Sequence, residues 1–165
     1  MSALIKSSLA RKYAMALSGL FLVVFLLQHF TINLTSVFSE DVFNQLSHFM
    51  GNNPLVQFAL QPVLIFGVVF HFVMGFVLEI QNRKARANKY ATNNGAANSS
   101  WMSRNMIISG LVVLSFLGLH FYDFWIPEMN YKYVEALPEN PTRYFEETVH
   151  KFESPVRVAI YVLSF

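Results

Sequence analysis

Three long runs of apolar residues, separated by polar and charged segments, set the pattern of the chain. The runs extend from about Tyr13 to Val37, from about Leu55 to Ile80 and from about Met106 to Ile126. Each reaches the roughly 20 residues that an α-helix needs to cross a hydrocarbon core about 30 Å thick. Because the apolar positions are continuous and do not alternate, they predict helices and not the strands of a membrane barrel.

A fourth apolar segment begins at Ser154 and Pro155, a typical helix N-cap followed by proline at the first helical position. It continues to Phe165, and its rise as an α-helix is only about 17 Å, too little to span. We therefore expect the sequence to be a piece cut inside its fourth helix. The first run is too long for a signal peptide, whose apolar region has roughly 7–15 residues.

Composition supports a membrane environment. Of the 165 residues 54% are apolar and 13% are charged, whereas soluble domains carry about 25% charged residues. This excludes a soluble globular domain, a disordered tail and a nucleic-acid-binding module. The absence of cysteine excludes disulfides, thiolate zinc sites and covalently attached haem. The sequence predicts an all-α, multi-pass transmembrane helix bundle that forms a single domain, residues 1–165.

Charged residues between the runs predict the orientation. The loop after the first run carries Glu40 and Asp41 and no base, and the stretch Glu128–Glu153 is mostly acidic. By the positive-inside rule these two segments lie outside, and the N-terminus and the second loop lie in the cytoplasm. The bases on the cytoplasmic side are Lys6, Arg11, Lys12, Arg83, Lys84, Arg86, Lys89 and Arg104.

Two connections show no domain of their own. The stretch Asn88–Ser100 consists of small and polar residues, which predicts a flexible connector. The stretch Pro127–Ser154 carries prolines and aromatic residues, and we expect it to form a short interfacial cap.

Each apolar run contains one histidine: His29, His71 and His120. An ionisable side chain in hydrocarbon is costly and usually faces the bundle interior with a partner or a function. A single such histidine could be a neutral imidazole bonded to a hydroxyl or carbonyl of a neighbouring helix. Three of them, one on each run, favour a shared function.

The depth of each histidine indicates how the three could pair. His29 lies about 25 Å along its helix from Lys12, and His120 about 24 Å from Arg104. Both are therefore predicted at one level toward the outer face, where they could ligate one haem. His71 lies nearer the cytoplasmic end, because its helix runs the other way, and its partner would come from the fourth helix. Haem iron with two imidazole ligands has no open position, which predicts electron transfer.

Other features are less specific. Gly67 and Gly75 share a helix face with His71 and could leave room for a porphyrin edge, although ordinary helix packing also favours small residues. Zinc is a poor alternative, since it needs four ligands and no Cys, Asp or Glu lies at the right level. A proton relay would usually show Asp or Glu deeper in the membrane.

A quinol that gives up electrons also releases protons, so a quinone site needs ionisable groups near the outer haem. The candidates are polar residues at the outer boundary, although each alone is more typical of a water-exposed loop or helix end. We expect His150 to be solvated. The quinone-site candidates are His48, Asp123, Glu40 and Asp41.

These segments resemble a known family. SSLARKYAMALSGLFLVVFLLQHFTINL is similar to the first helix of the dihaem cytochrome b membrane-anchor subunit of succinate dehydrogenase and fumarate reductase, in its five-helix, single-chain form. VFHFVMGFVLEIQNRKAR resembles the second helix, and LGLHFYDFW resembles the third. The resemblance implies that His29 and His120 are the axial iron ligands of an outer haem b. It also implies that His71 is one ligand of an inner haem b, whose second ligand lies on the fourth helix.

The resemblance further implies partners and a location. The chain would anchor a flavoprotein and an iron–sulfur subunit to the cytoplasmic face of a bacterial inner membrane. It would exchange electrons with a quinone, for which menaquinone is expected and ubiquinone is the alternative. It would be a non-catalytic subunit, because succinate chemistry belongs to the flavoprotein. Two alternatives stay open. One is a haem b subunit of another quinone-linked dehydrogenase or hydrogenase. The other is a haem-free membrane anchor or transporter.

Overall fold

The structure is a computed structural model that describes residues 7–85, 97 and 99–164, apart from the side chain of Met102. Its regular structure in these ranges is entirely helical, which confirms the predicted all-α fold. Lys6, Arg86, Lys89 and most of the predicted connector lie outside the described residues. The helices are, in chain order, α1 (Ser8–Leu34), α2 (Glu40–Asn52), α3 (Gln61–Lys84), α4 (Trp101–Arg104), α5 (Met106–His120), α6 (Ile126–Met129), α7 (Arg143–Phe152) and α8 (Pro155–Leu163).

Three helical stretches are long and apolar enough to cross a membrane, as predicted. They are Ser8–Val37, Val56–Lys84 and Met106–Val134, and we call them the first, second and third apolar helices. A 3-10 turn closes the first one, and a π-helical turn, Val56–Leu60, opens the second. In the third, π-helical turns at Phe121–Trp125 and Asn130–Val134 continue α5 and α6.

The third apolar helix is longer than predicted. The sequence ends the third run at about Ile126, whereas helical structure continues to Val134. A proline ring inside a helix clashes with the carbonyl one turn earlier. Here the π-helical turn Phe121–Trp125 widens the backbone just before Pro127 and accommodates the ring. The turn Val56–Leu60 stands in the same position relative to Pro62.

Apolar side chains lie on the outside of this chain. Most large apolar residues of the three apolar helices are exposed, and Phe43 is the single buried apolar residue in the part that the structure describes. In water such extensive apolar surface would drive association. A lipid bilayer supplies the missing apolar contacts, so the burial pattern supports a membrane protein, in agreement with helix length and composition.

The chain forms two compact units. Unit 1 holds the described residues of Met1–Ala85 together with Pro141–Phe145, and unit 2 holds those of Arg86–Asn140 together with Glu146–Phe165. In unit 1, residues further along α1 contact residues nearer the start of α3, so these two helices run antiparallel. Arg11 Nη1 donates to Gln81 Oε1 at 2.8 Å near one end, and Ser18 meets His71 further along.

Candidate functional site

His71 on α3 is held by α1. Its Nδ1 lies 2.9 Å from Ser18 Oγ, and the Ser18 hydroxyl donates to Met15 O at 3.0 Å. The other ring nitrogen of His71, Nε2, takes no part in this bond to Ser18. His71 therefore lies level with Ser18, which is about 16 Å nearer the N-terminal end of α1 than His29 is. The sequence predicts that the two histidines lie at different levels, and this contact separates them along α1.

The glycine face of α3 packs directly on α1. A Cβ added to Gly67 would lie 2.9 Å from the Phe21 ring, and one added to Gly75 would lie 3.8 Å from the Met15 side chain. The space that could have received a porphyrin edge is thus filled by side chains of α1. Ordinary small-residue packing, the alternative interpretation of these glycines, accounts for both of them.

His29 contacts Phe25 and Asn33 of its own helix, α1. Its ring stacks on Phe25, with 5.5 Å between centroids. Asn33 Nδ2 donates to the backbone oxygen of His29 at 2.8 Å and lies 3.3 Å from His29 Nε2. Asn33 is therefore engaged with its own helix, one turn from the histidine, and a haem ligated at Nε2 would have to displace this second contact.

His120 lies in unit 2 between two phenylalanines of its own helix. Its ring centroid is 6.0 Å from Phe116 and 5.1 Å from Phe124. Both rings in turn make edge contacts with Tyr161 of α8, at 5.8 Å and 6.5 Å. His29 and His120 belong to different units, so their pairing across one haem stays a prediction from the sequence.

Asp123 is not the water-exposed charge that the sequence favours, and that expectation is wrong. Its side chain is only 3% exposed and accepts hydrogen bonds from Arg157 Nη1 at 2.5 Å and from the Tyr161 hydroxyl at 2.9 Å. Sequence analysis missed both partners. The available signal was a lone arginine in the apolar start of α8, with a tyrosine four residues later on the same helix face.

Glu40 and Asp41 are exposed in the first turn of α2, as expected for a helix end. Ser39 precedes them as the N-cap, and its Oγ accepts from Val42 N at 3.3 Å. Acidic residues at this position stabilise a helix through its dipole, so their placement needs no quinone.

His48 lies on α2 in a half-buried polar cluster, which we call the His48 cluster: His48, Asn52 and Tyr144. Asn52 Nδ2 lies 2.8 Å from His48 Nδ1 and 3.2 Å from the Tyr144 hydroxyl. The Tyr144 ring meets the imidazole edge-on at 6.3 Å. Sequence analysis missed Asn52 and Tyr144, although Asn52 is one helical turn from His48. His150 is exposed and bonds to Glu153 at 2.9 Å, so the expectation that it is solvated is confirmed.

The imidazoles of the apolar helices are suitable ligands for a haem, but the packing of side chains around His71 fits a haem less well. Each apolar helix offers one imidazole, and imidazoles are axial haem ligands. Around His71, however, side chains of α1 occupy the glycine face of α3. No family model, curated protein or solved structure matches this chain, so the family resemblance rests on its residues alone.

Proposed function

We propose that the chain is the cytochrome b membrane-anchor subunit of a succinate dehydrogenase or fumarate reductase. In this role it passes electrons through haem b between an iron–sulfur subunit and a membrane quinone. The observation that carries the proposal is one histidine on each apolar helix, with His71 bonded to a hydroxyl through Nδ1 so that Nε2 stays outside that bond.

The proposed iron ligands are His29 and His120 for an outer haem and His71 for an inner one. When bound, the haem supplies one-electron redox chemistry, and the protein residues orient and shield it. The Ser18 bond to His71 supports this role, because ligating imidazoles usually donate their second ring N–H to a protein oxygen. At His29, ligation through Nε2 would replace the Asn33 contact.

Among the candidate residues for the quinone site, we propose His48 together with the rest of the His48 cluster. Asp123 already accepts bonds from Arg157 and Tyr161, so its carboxylate is committed to holding α8. The His48 cluster combines an imidazole, an amide and a phenol in a half-buried setting, which suits hydrogen bonding to quinone oxygens and release of a proton. Menaquinone is the proposed quinone.

The proposed location is a bacterial inner membrane with the N-terminus in the cytoplasm. The bond between Arg11 and Gln81 brings the basic start of α1 to the basic end of α3. Lys12, Arg83 and Lys84 therefore share one end of unit 1, the end that the positive-inside rule assigns to the cytoplasm. The flavoprotein and iron–sulfur subunits would bind on that side.

A second candidate, a haem-free membrane anchor, is favoured by two contacts. The Ser18 hydroxyl already satisfies one nitrogen of His71, and Phe21 fills the notch at Gly67. Both contacts are complete without a cofactor, as expected where polar bonds and small residues hold helices together in lipid.

The spectrum of the purified protein distinguishes the two candidates. We expect a dithionite-reduced minus oxidised spectrum of low-spin b-type haem, and a haem count per chain that falls in the His29→Ala and His120→Ala variants. The matched control is His150→Ala, which removes an exposed histidine and should leave the count unchanged. A colourless protein would overturn the cytochrome proposal in favour of the haem-free anchor, and a haem count insensitive to all three apolar-helix histidines would overturn the proposed ligands.

A further inference from the structure

Ser18, His71 and Met15 form a short chain of hydrogen bonds between α1 and α3. The Ser18 hydroxyl carries a single hydrogen, and it donates that hydrogen to Met15 O at 3.0 Å. The same oxygen lies 2.9 Å from His71 Nδ1. Because the hydroxyl has one hydrogen, both bonds form together only if Ser18 Oγ accepts from the imidazole. In that arrangement His71 carries its proton on Nδ1.

The neutral imidazole has one N–H and one lone pair, and the bond made by one nitrogen determines the state of the other. With the proton on Nδ1, the lone pair of His71 is on Nε2. That nitrogen is the one available to bind a metal ion or accept a proton. The serine on the neighbouring helix thus determines which nitrogen of His71 is chemically active.

Gly19 permits this arrangement. A Cβ added to Gly19 would lie 3.2 Å from His71 Cε1, tighter than an ordinary van der Waals contact. Any larger residue would press on the ring beside the Ser18 bond. Ser18 supplies the acceptor and Gly19 supplies the clearance, so two adjacent positions of α1 fix one imidazole of α3.

A second histidine in the chain has the opposite arrangement and serves as an internal reference. Asn52 Nδ2 lies 2.8 Å from His48 Nδ1. An amide nitrogen only donates, and His48 Nδ1 is the nearest of the three acceptors around Asn52 Nδ2, so we assign the proton of His48 to Nε2. The two histidines are therefore expected to be opposite tautomers.

We infer that Ser18 is a positioning residue that holds His71 as the Nδ1–H tautomer, with the lone pair on Nε2, and that Gly19 provides the clearance that the pair needs. The tautomer is inferred from the two bonds of Ser18 being made together. Its use as a haem ligand rests on the proposed function.

The direct test is nitrogen-15 NMR of the full chain labelled at histidine, in detergent micelles without haem. His71→Gln and His48→Gln assign the two rings by loss of their signals. We expect a protonated Nδ1 at His71 and a protonated Nε2 at His48. In Ser18→Ala, His71 should lose its fixed tautomer and show averaged signals, and Ser18→Thr should restore it. A protonated Nε2 at His71 in the unaltered chain would overturn the inference without any variant.

The control variant is Ser109→Ala. Ser109 makes the same bond to the carbonyl three residues earlier, Met106 O at 3.1 Å. Its loss should leave the His71 signals unchanged. If Ser109→Ala and Ser18→Ala change the His71 signals equally, or if neither changes them, the role of Ser18 is refuted.

A second readout connects the tautomer to the proposed function. If haem is present, loss of the Nδ1–H bond should make His71 a weaker ligand and raise the midpoint potential of one haem only. An unchanged potential in Ser18→Ala would contradict the positioning role. A colourless protein in which His71 still shows the Nδ1–H tautomer would overturn the proposed function and support the inference.

Discussion

Two pairs of helices in this chain are held together by different kinds of contact. In unit 1, α1 and α3 approach closely at glycines and share one neutral bond, between Ser18 and His71. In unit 2, α8 is held to the third apolar helix by the buried carboxylate of Asp123, which binds Arg157 and Tyr161. Lipid provides no hydrophobic driving force between helices, so close packing and polar bonds must supply it. The first contact should therefore respond to side-chain size and the second to charge.

The largest effect is expected at the charged contact. Asp123→Ala should lower the free energy of unfolding by about 3 kcal/mol, because it leaves the Arg157 guanidinium without its carboxylate. This is the lower end of the usual range, since the Arg157 side chain is 37% exposed. Denaturation in mixed micelles measures the change. Asp123→Asn retains an acceptor for Tyr161 and should lose less than Asp123→Ala. Asp123→Asn unfolding like the unaltered chain would show that the charge contributes nothing.

At the close-packed contact, added volume should matter. Gly67→Leu should lower the free energy of unfolding by about 1–3 kcal/mol, because even a Cβ would lie 2.9 Å from the Phe21 ring. Gly110→Leu is the matched control, since a Cβ at that position would meet no described residue within 4 Å beyond its chain neighbours and the backbone of its own helix. Phe21→Ala should relieve part of the Gly67→Leu loss in a double-mutant cycle. If Gly67→Leu and Gly110→Leu unfold alike, α3 does not pack on α1 at this glycine.

The neutral bond at the same contact should contribute less. Ser18→Ala should lower the free energy of unfolding by about 0.6 kcal/mol, the average for a hydrogen bond between helices in a membrane. The same denaturation assay measures it, with Ser109→Ala as reference because the Ser109 hydroxyl donates to Met106 O of its own helix. A loss as large as that of Asp123→Ala would contradict the ranking of the two contacts.

The smallest effect is expected outside both contacts. Glu79 binds Arg83 at 2.6 Å one turn along α3, but the Arg83 side chain is 76% exposed. Glu79→Gln should cost about 0.3–0.5 kcal/mol in unfolding free energy at low salt and less at high salt. A larger loss that does not respond to salt would show that this pair is shielded from solvent.

The sequence predicts the helices of this chain better than their partners. Length and hydropathy locate the three apolar helices, and counting residues along them gives the depth of His71 relative to His29. The continuation past Pro127 could not be predicted, because the compensating π-helical turn depends on backbone geometry that a local proline rule does not contain.

The candidate sites show the same division. Asn52 could have been paired with His48 from the helical spacing, whereas Tyr144 comes from a distant segment that only the fold brings near. The position of Asp123 in the sequence predicts an exposed charge at a helix end. Its burial depends on Arg157, which lies 34 residues later on another helix. Contacts of this kind require the tertiary structure.

Reduction of haem by succinate in the native complex, isolated from membranes through this chain, tests the central claim most directly. We predict that succinate reduces b-type haem through the attached flavoprotein and iron–sulfur subunits, and that added menaquinone analogue then reoxidises it. In a complex carrying His29→Ala, the outer haem should be lost. A complex that lacks haem, or whose dithionite-reducible haem does not respond to succinate or to fumarate, would contradict the proposal.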